Sequence, residues 1–250
     1  MNKSFSQKHP YIFVILLGLF CTFMTAFGTA LGQIMSLNTN GQLIVMTIFI
    51  MISVVIGLII MIRSRFRLTE YGFRSIKEDS NKKVLWYIPL VVVEILPIVI
   101  SGFATDVTLS QYIILIFLMI AVGFNEEIYF RGLTLKYMGT KSRKNAIIWS
   151  SVVFGILHLA NALNGKNIIY LILQMIFSFL VGFVLAEIVC ITKSIWIAIL
   201  WHATHNYIAS ITEGNMDYKA LIKVGFQVFV LFVYAILMWR KSVEGDDVSL

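Results

Sequence analysis

LSQYIILIFLMIAVGFNEEIYFRGLTLKYM, residues 109–138, carries no charge until Glu126, and then sets Glu126, Glu127 and Arg131 inside one apolar run. A bilayer core of ~30 Å takes about 20 apolar residues as helix, so this stretch is long enough to cross a membrane. It is too long to be only a span, and RGLTLKYM is expected to continue as an interfacial helix. Ionisable groups are costly in hydrocarbon, and those kept there mark functional sites. Two other apolar segments hold polar residues of the same kind: FGILHLAN (154–161) with His158, and WHATHN (201–206) with His202, His205 and Asn206.

The rest of the chain agrees. Of its 250 residues 59% are hydrophobic and 13% charged, against about 25% charged in a soluble domain. Mean hydropathy is +0.87. The chain is therefore an all-α polytopic membrane protein, one multi-span domain over residues 1–250. Eight spans are predicted, at about 11–33, 42–62, 84–104, 109–138, 144–162, 167–191, 193–212 and 220–239. The first exceeds the ~7–15 residues of a signal-peptide core and reads as an uncleaved anchor. Cys21 and Cys190, both inside apolar runs, make neither a disulfide framework nor a metal site.

Lys and Arg set the orientation. With the N-terminus inside, sixteen fall in inside segments: Lys3 and Lys8, seven in 63–83, four in 136–144, then Lys193, Arg240 and Lys241. Three (Lys166, Lys219 and Lys223) fall outside. Both termini are expected in the cytosol. The net charge of +7 then faces anionic lipid headgroups rather than a nucleic acid. Stretch 63–83 is the only sizeable loop, and the tail EGDDVSL is expected to be disordered.

Helical spacing sorts the polar residues. Glu127 and Arg131 are four apart and can pair on one face. Glu126 is turned by about 100° from Glu127 and points into the bundle without a cation on its own helix, where a buried carboxylate suits acid–base work. The alternative is that both glutamates serve Arg131. Phe154 and His158 share a face, as do His202 and Asn206. The latter two can present N–H donors toward one point, as an oxyanion requires, or the imidazole can bind a metal. At 1.5 Å per residue, Glu126, His158 and His202 lie roughly 14, 20 and 12 Å from the inner boundary, close enough to share a cavity. His205 is expected to bond backbone or Asn206. Glu94, beside Pro97, lines the cavity, pairs with a histidine or carries a proton. Glu187 is expected to reach the interface or a basic loop.

In order, Glu126-Glu127…Arg131, Phe154…His158 and His202…Asn206 match EExxxR, FxxxH and HxxxN. This resembles the CPBP family of intramembrane proteases, the CAAX-protease and bacteriocin-processing ("Abi") family that includes the type II prenyl-protein endopeptidases. The resemblance covers about 109–212. It implies a peptide hydrolase in which Glu126 and His158 activate water, His202 and Asn206 hold the oxyanion, and Glu127, Arg131 and Phe154 support them. It allows zinc on Glu126, His158 and His202, but HExxH is absent and those ligands sit on separate segments, so no metal is favoured. The implied substrate is a peptide or protein tail, lipid-modified or a bacteriocin or pheromone precursor, in the cell membrane, with the site opening toward the cytosol. The alternatives are a non-catalytic immunity or partner protein of the same fold and a proton-coupled transporter, the latter without an inverted repeat to favour it.

Overall fold

The computed structural model describes residues 5–160, 168–212 and 218–244; Lys3, Lys166 and most of the EGDDVSL tail lie outside them. Among the described residues the regular secondary structure is all helical apart from one isolated bridge, Phe103 to Thr212. After a short turn of helix come α1 (Pro10–Ile34), α2 (Thr39–Ile62), α3 (Ile88–Ser101), α4 (Leu109–Glu127), α5 (Arg143–Leu157), α6 (Ile168–Thr192), α7 (Trp196–Ile211) and α8 (Tyr218–Val243). Each overlaps one predicted span.

Five of them are long and apolar enough to cross a membrane: Pro10–Ile34, Thr39–Ile62, Leu109–Gly139, Leu171–Thr192 and Ala220–Val243. The protein is thus an integral membrane protein. The other three, with 14, 15 and 16 residues, fall short of the ~20 that a span needs. These shorter helices carry Glu94 and the His202–Asn206 pair, and His158 caps the end of one of them. Local sequence sets several of their ends. Asn38 caps α2 by accepting from Gly41 N–H at 2.9 Å. Thr108 and Gln111 form a capping box at α4, so that the α4 register starts from a fixed point.

The helices run up and down, so their ends gather at two opposite faces. One face is basic. It holds the 63–83 stretch, the start of α5, the α6–α7 turn and the end of α8. Arg143 donates to the Glu244 carbonyl, and Tyr11 of α1 packs edge-on to Trp149 of α5 at 5.2 Å, so both described ends of the chain meet this face. At the other face Ala104 N–H donates to Ile211 O at 2.9 Å and Asn40 reaches Ser110 at 3.1 Å. In between, α4 packs on α2 and α7, α5 on α6, and α8 on α6 and α3.

The 63–83 stretch is not a free loop. A 3-10 turn (Leu68–Tyr71) and a short helix (Glu78–Lys83) fold it against the bundle. Gly72 O accepts from Ile195 N–H at 2.9 Å, Arg74 O accepts from Ser194 Oγ at 2.7 Å, and Glu70 meets Lys136 at 3.0 Å. Gly72 has φ of +96°, and a Cβ there would come within 3.0 Å of the Ile195 nitrogen; only glycine fits this turn without strain.

α4 does continue past Glu127, through a π-helical segment (Ile128–Thr134) and an α-turn (Leu135–Gly139). This stretch is not an exposed interfacial helix. Residues 128–136 are all buried, because α1, α2 and α5 pack around it. π-Helical turns inside a helix are frequent at functional sites.

Candidate active site

α4 supplies the acids. Glu127 Oε1 lies 3.1 Å from Arg131 Nη1, both side chains fully buried, as their spacing of four predicts. Glu126 points elsewhere, as expected, and keeps a partly exposed side chain. The Arg131 guanidinium also lies over the Phe154 ring at 4.4 Å. The aromatic ring faces the cation with its electron-rich face, which offsets part of the cost of burying it. Phe154 packs edge-on against Phe130 at 5.0 Å, His158 at 4.6 Å and His202 at 5.8 Å. It is the common wall of the site.

His202 joins the two glutamates. Its Nδ1 lies 2.7 Å from Glu127 Oε1 and its Nε2 lies 3.3 Å from Glu126 Oε2. α4 and α7 come close enough for this because Gly123 faces Ile199 and Ala203; a Cβ at Gly123 would lie 2.9 Å from Ile199 O. Glu127 balances Arg131, so its carboxylate accepts from His202 Nδ1–H. The other ring nitrogen, Nε2, faces Glu126 Oε2.

His158 caps the end of α5. Its Nδ1 lies 2.8 Å from Phe154 O. A carbonyl only accepts, so Nδ1 carries the proton and Nε2 of the neutral ring keeps its lone pair.

Two cavities meet at Phe154 and His158. One, of about 680 Å³, is bounded by Glu126, Cys21 and Thr25. The other, of about 250 Å³, is bounded by His202, Asn206, Gln174 and Ser178. The four polar residues singled out in the sequence therefore line two adjoining cavities. The arrangement can take a proton from water at Glu126 or His158 and offer an amide N–H₂ from Asn206 to a developing oxyanion.

Two expectations are corrected. His205 does not bond backbone or Asn206: its Nδ1 lies 3.1 Å from Glu94 Oε1, and its ring stacks on Trp201 at 4.9 Å. Pairing with a histidine was one of the three readings of Glu94. Glu187 does not reach a basic loop: it is fully buried and accepts from Ser242 Oγ at 3.2 Å. The lining residues of the cavities run along α1 to Gln33 and along α7 to Thr212.

Gln174 and Ser178 went unnoticed in the sequence. They are four apart in an otherwise apolar run (ILQMIFSFL), which is the signal that could have found them. So did Asn125, whose amide donates to Cys21 Sγ at 3.2 Å.

No group of three or more His, Cys, Asp or Glu among the described residues is arranged to hold a metal ion. In both histidines Nδ1 is engaged, which leaves Nε2, and a zinc-bound imidazole commonly has its other nitrogen bonded in this way.

No curated protein matches the chain. Residues 108–208, which hold Glu126, Glu127, Arg131, Phe154, His158, His202 and Asn206, match the family model described as type II CAAX prenyl endopeptidase Rce1-like, the family that its three motifs resemble.

Proposed function

We propose that this protein is an intramembrane endopeptidase that hydrolyses one bond of a membrane-associated peptide or protein tail with a water activated by Glu126 and His158. The observation that carries this reading is the contact of His202 with both Glu127 and Glu126, set beside His158 where the two cavities meet. It sets one imidazole between two carboxylates, one of them anchored by Arg131.

The steps follow from the atoms. Water between Glu126 and His158 loses a proton to one of them as its oxygen bonds the substrate carbonyl carbon. The carbonyl oxygen becomes an oxyanion that Asn206 N–H₂ and His202 Nε2–H stabilise. The C–N bond then breaks, and the proton passes to the leaving amine. Glu127, anchored by Arg131, keeps His202 oriented throughout. A donor to the oxyanion contributes on the order of 10²–10³ in rate, and general acid–base catalysis 10²–10⁴.

The reading is metal-free, on the ground that HExxH is absent and Glu126, His158 and His202 sit on separate segments. It takes the chain as a single membrane domain in the cell membrane, with all eight helices crossing and the basic face in the cytosol, since Lys and Arg concentrate there. The substrate is a peptide or protein tail. A lipid-modified tail and a bacteriocin or pheromone precursor both fit that class.

The test compares peptide termini in cells expressing the wild type and Glu126→Gln. Termini present with the wild type and lost with the variant name the substrate. Identical terminal profiles would reject the proposal.

A further inference from the structure

The two cavities and the packing beneath them give the site a direction. On the basic side, Tyr129, Phe130, Arg131 and Leu133 leave at most 2% of their surface exposed, and Ser194 and Tyr71 beneath them are equally closed off. The folded 63–83 stretch seals that end through Gly72, Arg74 and Glu70. From Glu126 to Gly139 there are roughly 20 Å of helix, and residues 128–136 within it are all buried. On the opposite side both cavities continue. The smaller follows α7 from His202 to Thr212 and reaches Lys223 near the start of α8. That is about 15 Å of helix, the length of four or five extended residues at ~3.3 Å each. The larger follows α1 from Cys21 to Gln33.

We infer that the chamber is entered from the face opposite the basic loops, so that the substrate is an extended peptide presented at the extracytoplasmic side rather than a tail standing in the cytosol. The positive-inside distribution fixes which side that is. The lining suits a peptide backbone. Gln174 Oε1 is buried and has no hydrogen-bond partner, leaving an acceptor for a peptide N–H within the smaller cavity. The inference rests on the protease reading only for what enters; the direction of entry stands on the packing.

The experiment uses the full chain in intact cells, with Cys21→Ala and Cys190→Ala removing the native thiols. Single cysteines are placed on the larger cavity (Thr29→Cys), on the smaller (Ala209→Cys) and on the basic face (Ser75→Cys), and are exposed to a membrane-impermeant maleimide. Thr29→Cys and Ala209→Cys are expected to label in intact cells at least tenfold more than Ser75→Cys, which labels only after permeabilisation. Two cavity positions are used so that one misfolded variant does not decide the outcome. Cavity cysteines that label only after permeabilisation, or from neither side, overturn the inference, as does a Ser75→Cys that labels from outside. Labelling does not require turnover. If Glu126→Gln cleaves like the wild type while the labelling pattern holds, the protease reading fails and the direction of entry survives.

Discussion

His202 Nδ1 lies 2.7 Å from Glu127 Oε1, which makes Glu127 the holder of the imidazole as well as the partner of Arg131. The two adjacent glutamates therefore differ in what they hold up. Glu127 is a buried junction between a guanidinium and an imidazole, and Glu126 faces a cavity. Removing one partner from a buried pair typically costs about 3–5 kcal/mol. Glu127→Gln should therefore lower both melting temperature and activity. Glu126→Gln should abolish activity while leaving the melting temperature close to wild type. Thermal unfolding in detergent, run beside a cleavage assay, separates the two; equal destabilisation by both variants would contradict the division.

The approach of α4 to α7 at Gly123 fixes the distance between Glu126 and His202. A larger side chain meets Ile199 O and Ala203. Gly123→Val should cost about 1–3 kcal/mol by overpacking. It should cut turnover by about 10²-fold, the scale of a 1 Å misplacement. A variant with unchanged turnover would mean that this helix crossing does not position the site.

Glu94 and His205 form a second acid–imidazole pair, 3.1 Å apart, stacked against Trp201. Residues in one hydrogen-bonded network couple by about 0.5–3 kcal/mol. Melting temperatures of Glu94→Gln, His205→Gln and the double variant should be non-additive by an amount in that range. Strict additivity would mean that the contact contributes nothing.

Glu70 ties the 63–83 stretch to the bundle. The Arg67 backbone N–H, at 2.9 Å, and then the Lys136 ammonium, at 3.0 Å, hold its carboxyl below the usual carboxylate range. A carboxyl with a lowered folded-state pKa adds stability above its unfolded value, and that stability is lost as pH falls through the folded value. Glu70→Gln should thus lower the melting temperature slightly at neutral pH, since the pair is partly exposed and screened. The gap from wild type should close as the pH is lowered below the ordinary carboxylate range. A gap that persists there would assign the loss to another cause.

What the sequence made legible follows range. Hydropathy located all eight helices because each is a local property of its own segment. The Glu127–Arg131 pair was readable because both partners lie on one helix, four residues apart. The bonds of His202 to Glu127 and of His205 to Glu94 join different helices, and spacing within a segment carries no information about which helix lies opposite. Glu187 looked interfacial because it is near a helix end, yet the 63–83 stretch and α8 cover that end. The same 63–83 stretch folds over the basic face. A charged stretch in sequence gives no sign that Gly72 and Arg74 will be taken up by the α6–α7 turn.

The central claim is that Glu126 and His158 activate the water. It is tested most directly by incubating purified protein with membrane-associated peptides and measuring new termini by mass spectrometry. The wild type should cleave, and Glu126→Gln and His158→Ala should each fall by at least 10²-fold with the fold retained. Cleavage by both variants at the wild-type rate would contradict it.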